Sequence, residues 1–538
     1  MDCISTLISY ATTGSFSKIS LDYLAGAATL RPFYKHDISP AGMAEAIKAR
    51  KASPVNRQLL VQELTQQYSS APISKAVKAN LESLLQENTF TVTTAHQPNL
   101  FTGYLYFIYK ILHVIKLCET LRVQFPENNF VPVFFMGSED ADLEELGKIY
   151  MEGEKITWDT KQTGAVGRMS TAGLKPLIDR LAGEIGVHPH GPALIALLRE
   201  YYDGRSDIQT ATFKLVNRLF AEYGLLVLLP DNRQLKAAML TVFKDDLWRQ
   251  IPSSIVEKTN KLLGQHYKVQ ANPREINLFY LKDDIRDRII KTPEGWKVVN
   301  QEIHFTEQEL EEELQQHPDR FSPNVILRGL FQGMILPDIA FVGGGGELAY
   351  WLELKELFEH YKVPYPLLLL RNSFLFIEEK WDRLIRKLEV EAGDLFRDPD
   401  ELLAGLVRQR SEQQVTLPGE IAQAGELYDH VEKVAGKVDP GMARHVQALK
   451  TQSLRRLEAL EKKLLRAEKR KFDAVQRQVE AVRKALFPNG KLQERTDNFI
   501  PYFARWGDDF IKTLYEHSLT LEQQFVILRQ TDSASRPA

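Results

Sequence analysis

Cysteine is nearly absent from this chain: two among 538 residues, Cys3 and Cys118. That excludes a disulfide scaffold and any cysteine-built zinc site. Long apolar runs are missing too, since stretches such as Pro364–Leu370 fall far short of the ~20 residues of a membrane span. The start, MDCISTLISYATTG, has an acid at position 2 and neither a basic region nor a long apolar core. No signal peptide is expected there, and the reading is a cytoplasmic protein with reduced thiols and no membrane. There is little net charge: 68 Lys and Arg stand against 71 Asp and Glu, a formal −3, which argues against a globally basic nucleic-acid binder. The sequence has no HExxH, GxSxG, CxxC or EF-hand pattern and no internal repeat, so no metal site is expected at a recognisable spacing.

What is present is ordinary globular composition, 44% hydrophobic, 10% aromatic and 26% charged, which rules out disordered and collagen-like classes. At roughly 100–200 residues per domain, the length predicts two to four domains. The first stretch, to about Leu85, reads as helical with polar breaks at Ser39-Pro40 and Ser53-Pro54. Phe90–Thr94 is β-rich, and a helix is predicted from after Gly103 to about Arg122, with Cys118 buried in it as a small apolar side chain. Val131–Met136 is apolar without alternation, which suits a strand covered on both faces of a parallel sheet. The rhythm returns as a helix over Thr212–Tyr223 closed by Gly224, then strands at Leu225–Leu229, Ile339–Val342 and Leu367–Leu370, with a helix from about Glu347 to Tyr361. Strand, loop and helix in repetition predict a doubly wound α/β sheet. The mixed stretch from about Leu235 to Leu330 reads as an insertion packed on it.

Beyond about Phe374 the chain turns charged and helical. A helix over Pro418–Val438 carries Ile421, Leu427, Val431 and Val434 on one side, and Asp439-Pro440-Gly441 is a turn. A second helix is predicted from Gly441 to Leu486, with apolar residues at Leu454, Leu457, Leu460 and Leu464 and on through Phe472, Val475, Val479 and Val482. That is coiled-coil spacing, so the two helices are expected to pair as an antiparallel hairpin. The predicted domains are an α/β core over 1–377 and a helical domain over 378–538, ending in the polar tail TDSASRPA. From Arg444 to Lys484 there are 13 Lys and Arg against 5 Asp and Glu, net +8. This reads as a solvated coiled-coil face, an anion- or RNA-binding arm, or a surface for an acidic partner.

Three loops follow predicted strands, where open parallel sheets bind ligands. In His96-Gln97-Pro98-Asn99-Leu100-Phe101-Thr102-Gly103, the imidazole can move a proton, Asn99 both donates and accepts, and Gly103 permits close approach. The alternative is a plain strand-to-helix turn. Ser138-Glu139-Asp140-Ala141-Asp142 gathers acids suited to an ammonium, sugar hydroxyls, Mg²⁺ or a neighbouring cation, or to helix capping. Gly343-Gly344-Gly345-Gly346-Glu347 lacks the third glycine of a dinucleotide fingerprint, since position 348 is Leu348, and the Lys-Ser/Thr of a P-loop. Its Glu347 suits an amine or hydroxyl better than pyrophosphate. Upstream, Asn324, Arg328 and Gln332 are spaced by four and share one helical face, which would let Arg328 bind a carboxylate or serve structurally.

Seven segments taken together are more specific than any one motif: TAHQPNLFTGYLYFIYKIL, FMGSEDADLEEL, GAVGRM, RLFAEYGLLVLLPDNRQLK, NPREINLFYL, FSPNVILRGLFQGMILPDIAFVGGGGELAYWLELKELFEHY and LQERTDNFIPYFARWG. In this order they resemble the BshC family, the cysteine ligases of bacillithiol biosynthesis. The resemblance implies a Rossmann-like core of class I nucleotidyltransferase-like architecture with inserted connecting segments. It also implies a C-terminal α-helical coiled coil used for homodimerisation. The implied reaction joins the carboxyl of L-cysteine to the amine of glucosaminyl-malate, giving bacillithiol in the last step of its biosynthesis. By analogy the loop from His96 to Gly103 stands where that superfamily has its HxGH-type nucleotide signature, although no second histidine is present. ATP is the expected activator of the carboxylate, with no metal signature.

On this reading His96 contacts the activated carboxyl or phosphate, and Asn99 hydrogen-bonds beside it. Glu139, Asp140 and Asp142 hold the amino sugar or the cysteine ammonium, Arg328 a carboxylate, and Glu347 a hydroxyl or amine. Gln97, Gly103, Ser138, Arg168, Asn324, Gln332, Gly343, Gly344, Gly346 and Tyr350 complete the expected substrate set. Gly329, Gly333 and Gly345 stand where the family commonly has proline, aspartate and proline. Each loosens the backbone, and the missing aspartate at 333 is expected to alter substrate contacts. Two other classes remain: a nucleotidyltransferase or ligase for another amine, and an RNA-binding or scaffold protein using the basic arm.

Overall fold

The computed structural model describes residues 1–151, 153–411, 416–469 and 472–531. The polar tail expected at the C-terminus lies outside them beyond Thr531. Five short segments rich in Val, Leu, Phe and Thr form one sheet: β1 (Thr89–His96), β2 (Asn129–Met136), β3 (Leu226–Leu228), β4 (Asp338–Gly343) and β5 (Leu367–Leu370). The order is β3-β2-β1-β4-β5 and every neighbouring pair is parallel. This is the Rossmann-type order. Nearly every residue of the five strands is buried, which is why their sequences run apolar without alternating. Three buried threonines of β1 are satisfied within the sheet: Thr91 and Thr93 donate to Asp338 Oδ1 at 3.3 and 2.7 Å, and Thr94 to the Val342 carbonyl at 2.7 Å.

β1 leads into α1 (Tyr106–Gln124), which is buried along most of its length. Cys118 sits there fully enclosed, its thiol pushed up to about 12 by burial, so it packs and does not react. Two further helices frame the crevice: α2 (Val325–Ile335) before β4 and α3 (Gly345–Trp351) after it. The helix expected over Glu347–Tyr361 is two pieces, α3 and Lys355–His360. Between them Glu353 turns inward and accepts the Gln270 and Ala271 N–H groups at 2.7 and 3.1 Å, anchoring the inserted region instead of continuing the helix. That region carries helices and a separate antiparallel sheet, in the order His304–Phe305, Gly295–Val298, Ile285–Thr292, Leu278–Lys282 and Phe321–Pro323.

The N-terminus departs from its helical reading. Cys3–Ile8 is a strand, paired antiparallel with Phe525–Gln530 over six residue pairs. Only a partner more than 500 residues away makes it one, so local pattern could not show it.

The chain forms two compact units, Met1–Phe376 together with the segment from Lys491 on, and Ile377–Gly490. A helical domain running from 378 to the end therefore has a second boundary at 490, where the chain returns to the first unit. Within the second unit, α4 (Pro418–Val438) and α5 (Pro440–Lys469) run antiparallel. The register follows from Gly436 beside Ala443, the Lys450–Asp429 ion pair, and Tyr428 Oη with Ser453 Oγ at 2.7 Å. The second predicted helix is divided. Residues 470 and 471 lie outside the described ones, and α6 (Asp473–Leu486) buries Val479, Val482 and Leu486 beside the helices Glu379–Leu388 and Pro399–Arg410. The apolar period continues across the division, but the partner changes.

Candidate active site

The chain leaves β1 towards β2 on one side and later returns to β4 on the other, so a crevice opens at their carboxyl ends. A cavity of about 640 Å³ occupies it. All five strand ends contribute: Ala95 and His96 at the end of β1 with Gln97 after it, Gly137, Glu139 and Asp140 after β2, Pro230 after β3, Gly344–Glu347 after β4 and Arg371 after β5. Ser15–Ser17, Arg286, Asn324, Arg328, Tyr350 and Arg495 close it from other segments.

His96 packs edge-on to Tyr106, ring centroids 5.4 Å apart, and its Nε2 is enclosed without a partner. Burial, and then the charges of Lys110, Arg371 and Arg328, hold its pKa well below the usual histidine range. The imidazole is therefore neutral at neutral pH. Lys110, buried in α1, donates to the Ala95 carbonyl and to Glu347 Oε2, both at 2.6 Å. The Gly344 N–H donates to the same Glu347 oxygen at 2.8 Å. The carboxylate that opens α3 is thus neutralised from below.

The cations divide into held and free. Arg371 is gripped by Glu494 through two bonds of 3.0 and 2.8 Å. Arg286 donates to Ser322 Oγ at 3.2 Å and lies 3.9 Å from Asp140. Arg328 donates to Tyr350 Oη, and its Nη1 is buried with no acceptor. Arg495 lies 5.2 Å over the Phe16 ring. Among the described residues neither Arg328 nor Arg495 has a carboxylate in ion-pair range. On the acidic side, Glu139 is paired with fully buried Lys236, which also reaches Asp231 at 3.4 Å and the Asp319 carbonyl at 2.9 Å. Burial pushes the Glu139 carboxyl up against the pull of that lysine.

Of the residues expected in the site, His96, Gln97, Glu139, Asp140, Asn324, Arg328, Gly344, Gly346, Glu347 and Tyr350 line the cavity. Three more of these have partners within the wall. Asn324 caps α2 by accepting the Ile326 N–H at 2.9 Å, and Asp140 accepts from Gln97 Nε2 at 3.1 Å. The others do not line the cavity. Asn99 is buried against Gly103, Ser138 is fully enclosed, and Asp142 caps the turn Leu143–Leu146 through the Glu145 N–H at 2.9 Å. Arg168 holds Asp231 at 2.6 and 2.7 Å, Gln332 holds Asp338 at 2.7 Å, and Gly343 packs on the Phe341 ring.

A family model for the Rossmann-like N-terminal domain of bacillithiol biosynthesis BshC matches residues 2–372, and one for its C-terminal coiled-coil domain matches 374–530. The chain belongs to the BshC family. A relative from Cytophaga hutchinsonii is 38% identical over 502 residues, 93% of this chain and 94% of its own. Another, from Flavobacterium johnsoniae, is 38% identical over 531 residues, 98% and 99% of the two chains. Both carry the name "Putative cysteine ligase BshC".

Against the BshC pattern, Gly329 and Gly333 are packing positions, whereas Gly345 lines the cavity. A Cβ on Gly329 would lie 3.2 Å from the Trp351 ring, and one on Gly333 would lie 2.9 Å from the Phe358 ring. Position 333 thus points into the core and not at a ligand, so the expected change in substrate contacts does not arise from it. Gly345 faces Ser20 Oγ at 2.9 Å on the same construction. Sequence reasoning missed Lys110, Glu145, Arg286, Arg371 and Arg495. Two had a signal: Lys110 is a charge amid an apolar helix, and Arg371 directly follows an apolar strand. Arg286 comes from a distant segment and had none, and Arg495 lies in LQERTDNFIPYFARWG, a segment that carried the resemblance but no assigned role.

Proposed function

We propose that this chain is the ligase that joins the carboxyl of L-cysteine to the amine of glucosaminyl-malate, forming bacillithiol. The observation that carries the reading is the pair Arg328 and Arg495, two cavity-lining guanidiniums with no carboxylate in ion-pair range among the described residues. Malate brings two carboxylates. A buried N–H without an acceptor, as at Arg328 Nη1, costs stability until a ligand supplies one. Glu145 lines the same cavity and offers a carboxylate to an ammonium.

In the reaction the amine nitrogen attacks the cysteine carbonyl carbon, the bond to the leaving oxygen breaks, and the nitrogen gives up a proton. Neutral His96, with its Nε2 unengaged, can hydrogen-bond that nitrogen. ATP is proposed as co-substrate, and it would supply the leaving group on the cysteine carboxyl. What supports it is that Lys110 offsets Glu347 at the start of α3, so this carboxylate does not repel a phosphate there. We place the reaction in the cytoplasm, where cysteine stays reduced. We also propose a homodimer through the coiled coil, because Leu427, Val431 and Val434 stay exposed on α4. The test incubates purified chain with L-cysteine and glucosaminyl-malate, with and without ATP, and detects bacillithiol by mass. Product is expected with ATP. Folded protein that makes none under any nucleotide condition overturns the proposal.

A further inference from the structure

The turn after β5 is held by hydrogen bonds from several segments of the chain. The Arg371 N–H donates to the Gly343 carbonyl at 2.8 Å, tying β5 to the end of β4. Tyr10 Oη donates to the Arg371 carbonyl at 3.1 Å. Next to it, His113 accepts the Asn372 N–H on Nδ1 at 3.2 Å while Nε2 faces the Thr520 carbonyl at 2.7 Å, which assigns the Nε2–H tautomer. Burial lowers this histidine to about 4, so it stays neutral and the clamp does not titrate near neutral pH. Asn372 Nδ2 donates to the Leu519 carbonyl at 3.1 Å, and the Val526 N–H to the Ser373 carbonyl at 3.0 Å.

The guanidinium is held as firmly as the backbone. Its Nη1 donates to Glu494 Oε2 at 3.0 Å, Ser373 Oγ at 3.0 Å and the Asn372 carbonyl at 2.9 Å. Its Nη2 donates to Glu494 Oε1 at 2.8 Å. The plane stands over the Tyr106 ring, 4.8 Å from its centroid. Glu494 is fully buried, with one oxygen also taking the Phe374 N–H at 3.3 Å. None of these bonds uses Nε, which lies beside Gly344 on the cavity side, 3.7 Å from where a Cβ there would stand. The pair is neutral overall, so it does not attract an anion as a free charge would. What it offers is the Nε–H, with the second Nη2–H beside it, in a direction set before substrate arrives, and such donors act where charge develops during acyl transfer.

We propose that Arg371 directs its Nε–H at the cysteine carboxyl as it reacts, and that Glu494 is the positioning residue that aims it. This rests on the ligase reading. When the amine attacks, the carbonyl π electrons move onto oxygen. The Nε–H stabilises that oxyanion until the carbonyl re-forms and the leaving group departs with its electron pair.

The test compares full-length wild type, Glu494→Gln, Glu494→Asp and Arg371→Lys in the bacillithiol assay, with circular dichroism and thermal melting alongside. Glu494→Gln keeps the shape but removes one acceptor and the charge. It is expected to lower kcat about tenfold or more with KM for glucosaminyl-malate little changed. Glu494→Asp is expected to recover part of that loss. Arg371→Lys, which has no Nε–H fork, is expected to lower kcat by about 100-fold, the scale of losing one oxyanion donor. Variants that melt lower but keep wild-type kcat would show a purely structural pair and overturn the inference. If Glu494→Gln does not fold, Arg371→Lys decides alone, and unchanged kcat there overturns it. An inactive wild type would instead sink the ligase reading, a distinguishable failure.

Discussion

Arg328 presents a buried Nη1 with no acceptor beside a hydroxyl, Tyr350 Oη, that its Nη2 already uses. Its place on a cavity wall was readable, because Asn324, Arg328 and Gln332 repeat at helical spacing. That the three would have separate roles was not. Asn324 caps the helix, Gln332 sits under the sheet on Asp338, and only Arg328 is left for a ligand. Arg328→Ala should therefore raise KM for glucosaminyl-malate by about 10- to 100-fold, the range for losing a hydrogen bond to a charged group, with less effect on KM for cysteine. Steady-state kinetics in each substrate checks this. A second residue-scale outcome concerns protons. Burial pushes Asp246, Asp338 and Glu353 each up to about 7, whereas unfolded carboxyls titrate near about 4. Between those values the folded chain binds more protons than the unfolded one, so these groups make stability fall as pH rises from about 4 to about 7 and level off above. Asp338→Asn should remove its share of that slope in urea unfolding at a series of pH values. The amide can donate to Gln332 Oε1, which is buried without a partner.

At the scale of elements, the loop after β1 is the most constrained. Phe101, Thr102 and Gly103 have φ of 47°, 68° and 67° in succession, a conformation that bulky residues rarely adopt. Asn498 holds it, donating Nδ2–H to the Phe101 carbonyl at 3.0 Å and to that of Gly103. The sequence showed a strand-to-helix turn with glycine at its end, but its clamp lies almost 400 residues away. Gly103→Ala would place a Cβ 2.7 Å from Asn99 Cβ at positive φ, so it should destabilise the fold by about 1–3 kcal/mol, read as a lower denaturant midpoint with an unchanged slope. The coiled coil behaves differently. Its helix positions were legible from the 3–4 spacing, and Pro418–Val438 is found as expected. Yet Leu427, Val431 and Val434 are 61%, 41% and 53% exposed, so the hairpin leaves this side of the first helix uncovered. On the proposed homodimer, the double variant Val431→Lys, Val434→Lys should shift sedimentation from dimer to monomer while leaving the helical content unchanged.

For the whole molecule, the return of the chain at Lys491 decides the most. Glu494, Arg495 and Asn498 come from this segment, and Phe525–Gln530 pairs with the N-terminal strand. Truncation after Gly490 should therefore give a chain that aggregates or loses cooperative unfolding, as judged by size-exclusion chromatography and thermal melting. It should also make no bacillithiol. The strand–loop–helix rhythm by itself determined the parallel sheet and the three loops at strand ends, because a doubly covered sheet demands unbroken apolar strands and a local turn after each. Tertiary structure alone decided which side chains share the cavity and which do not. Arg495 reaches the site across the folded chain, and Asp142 and Gln332 are spent on capping and on a buried carboxyl. Periodicity reports which face of an element is buried, whereas a site is made by partners far apart in the chain. Their choice depends on which donors and acceptors the fold has already satisfied.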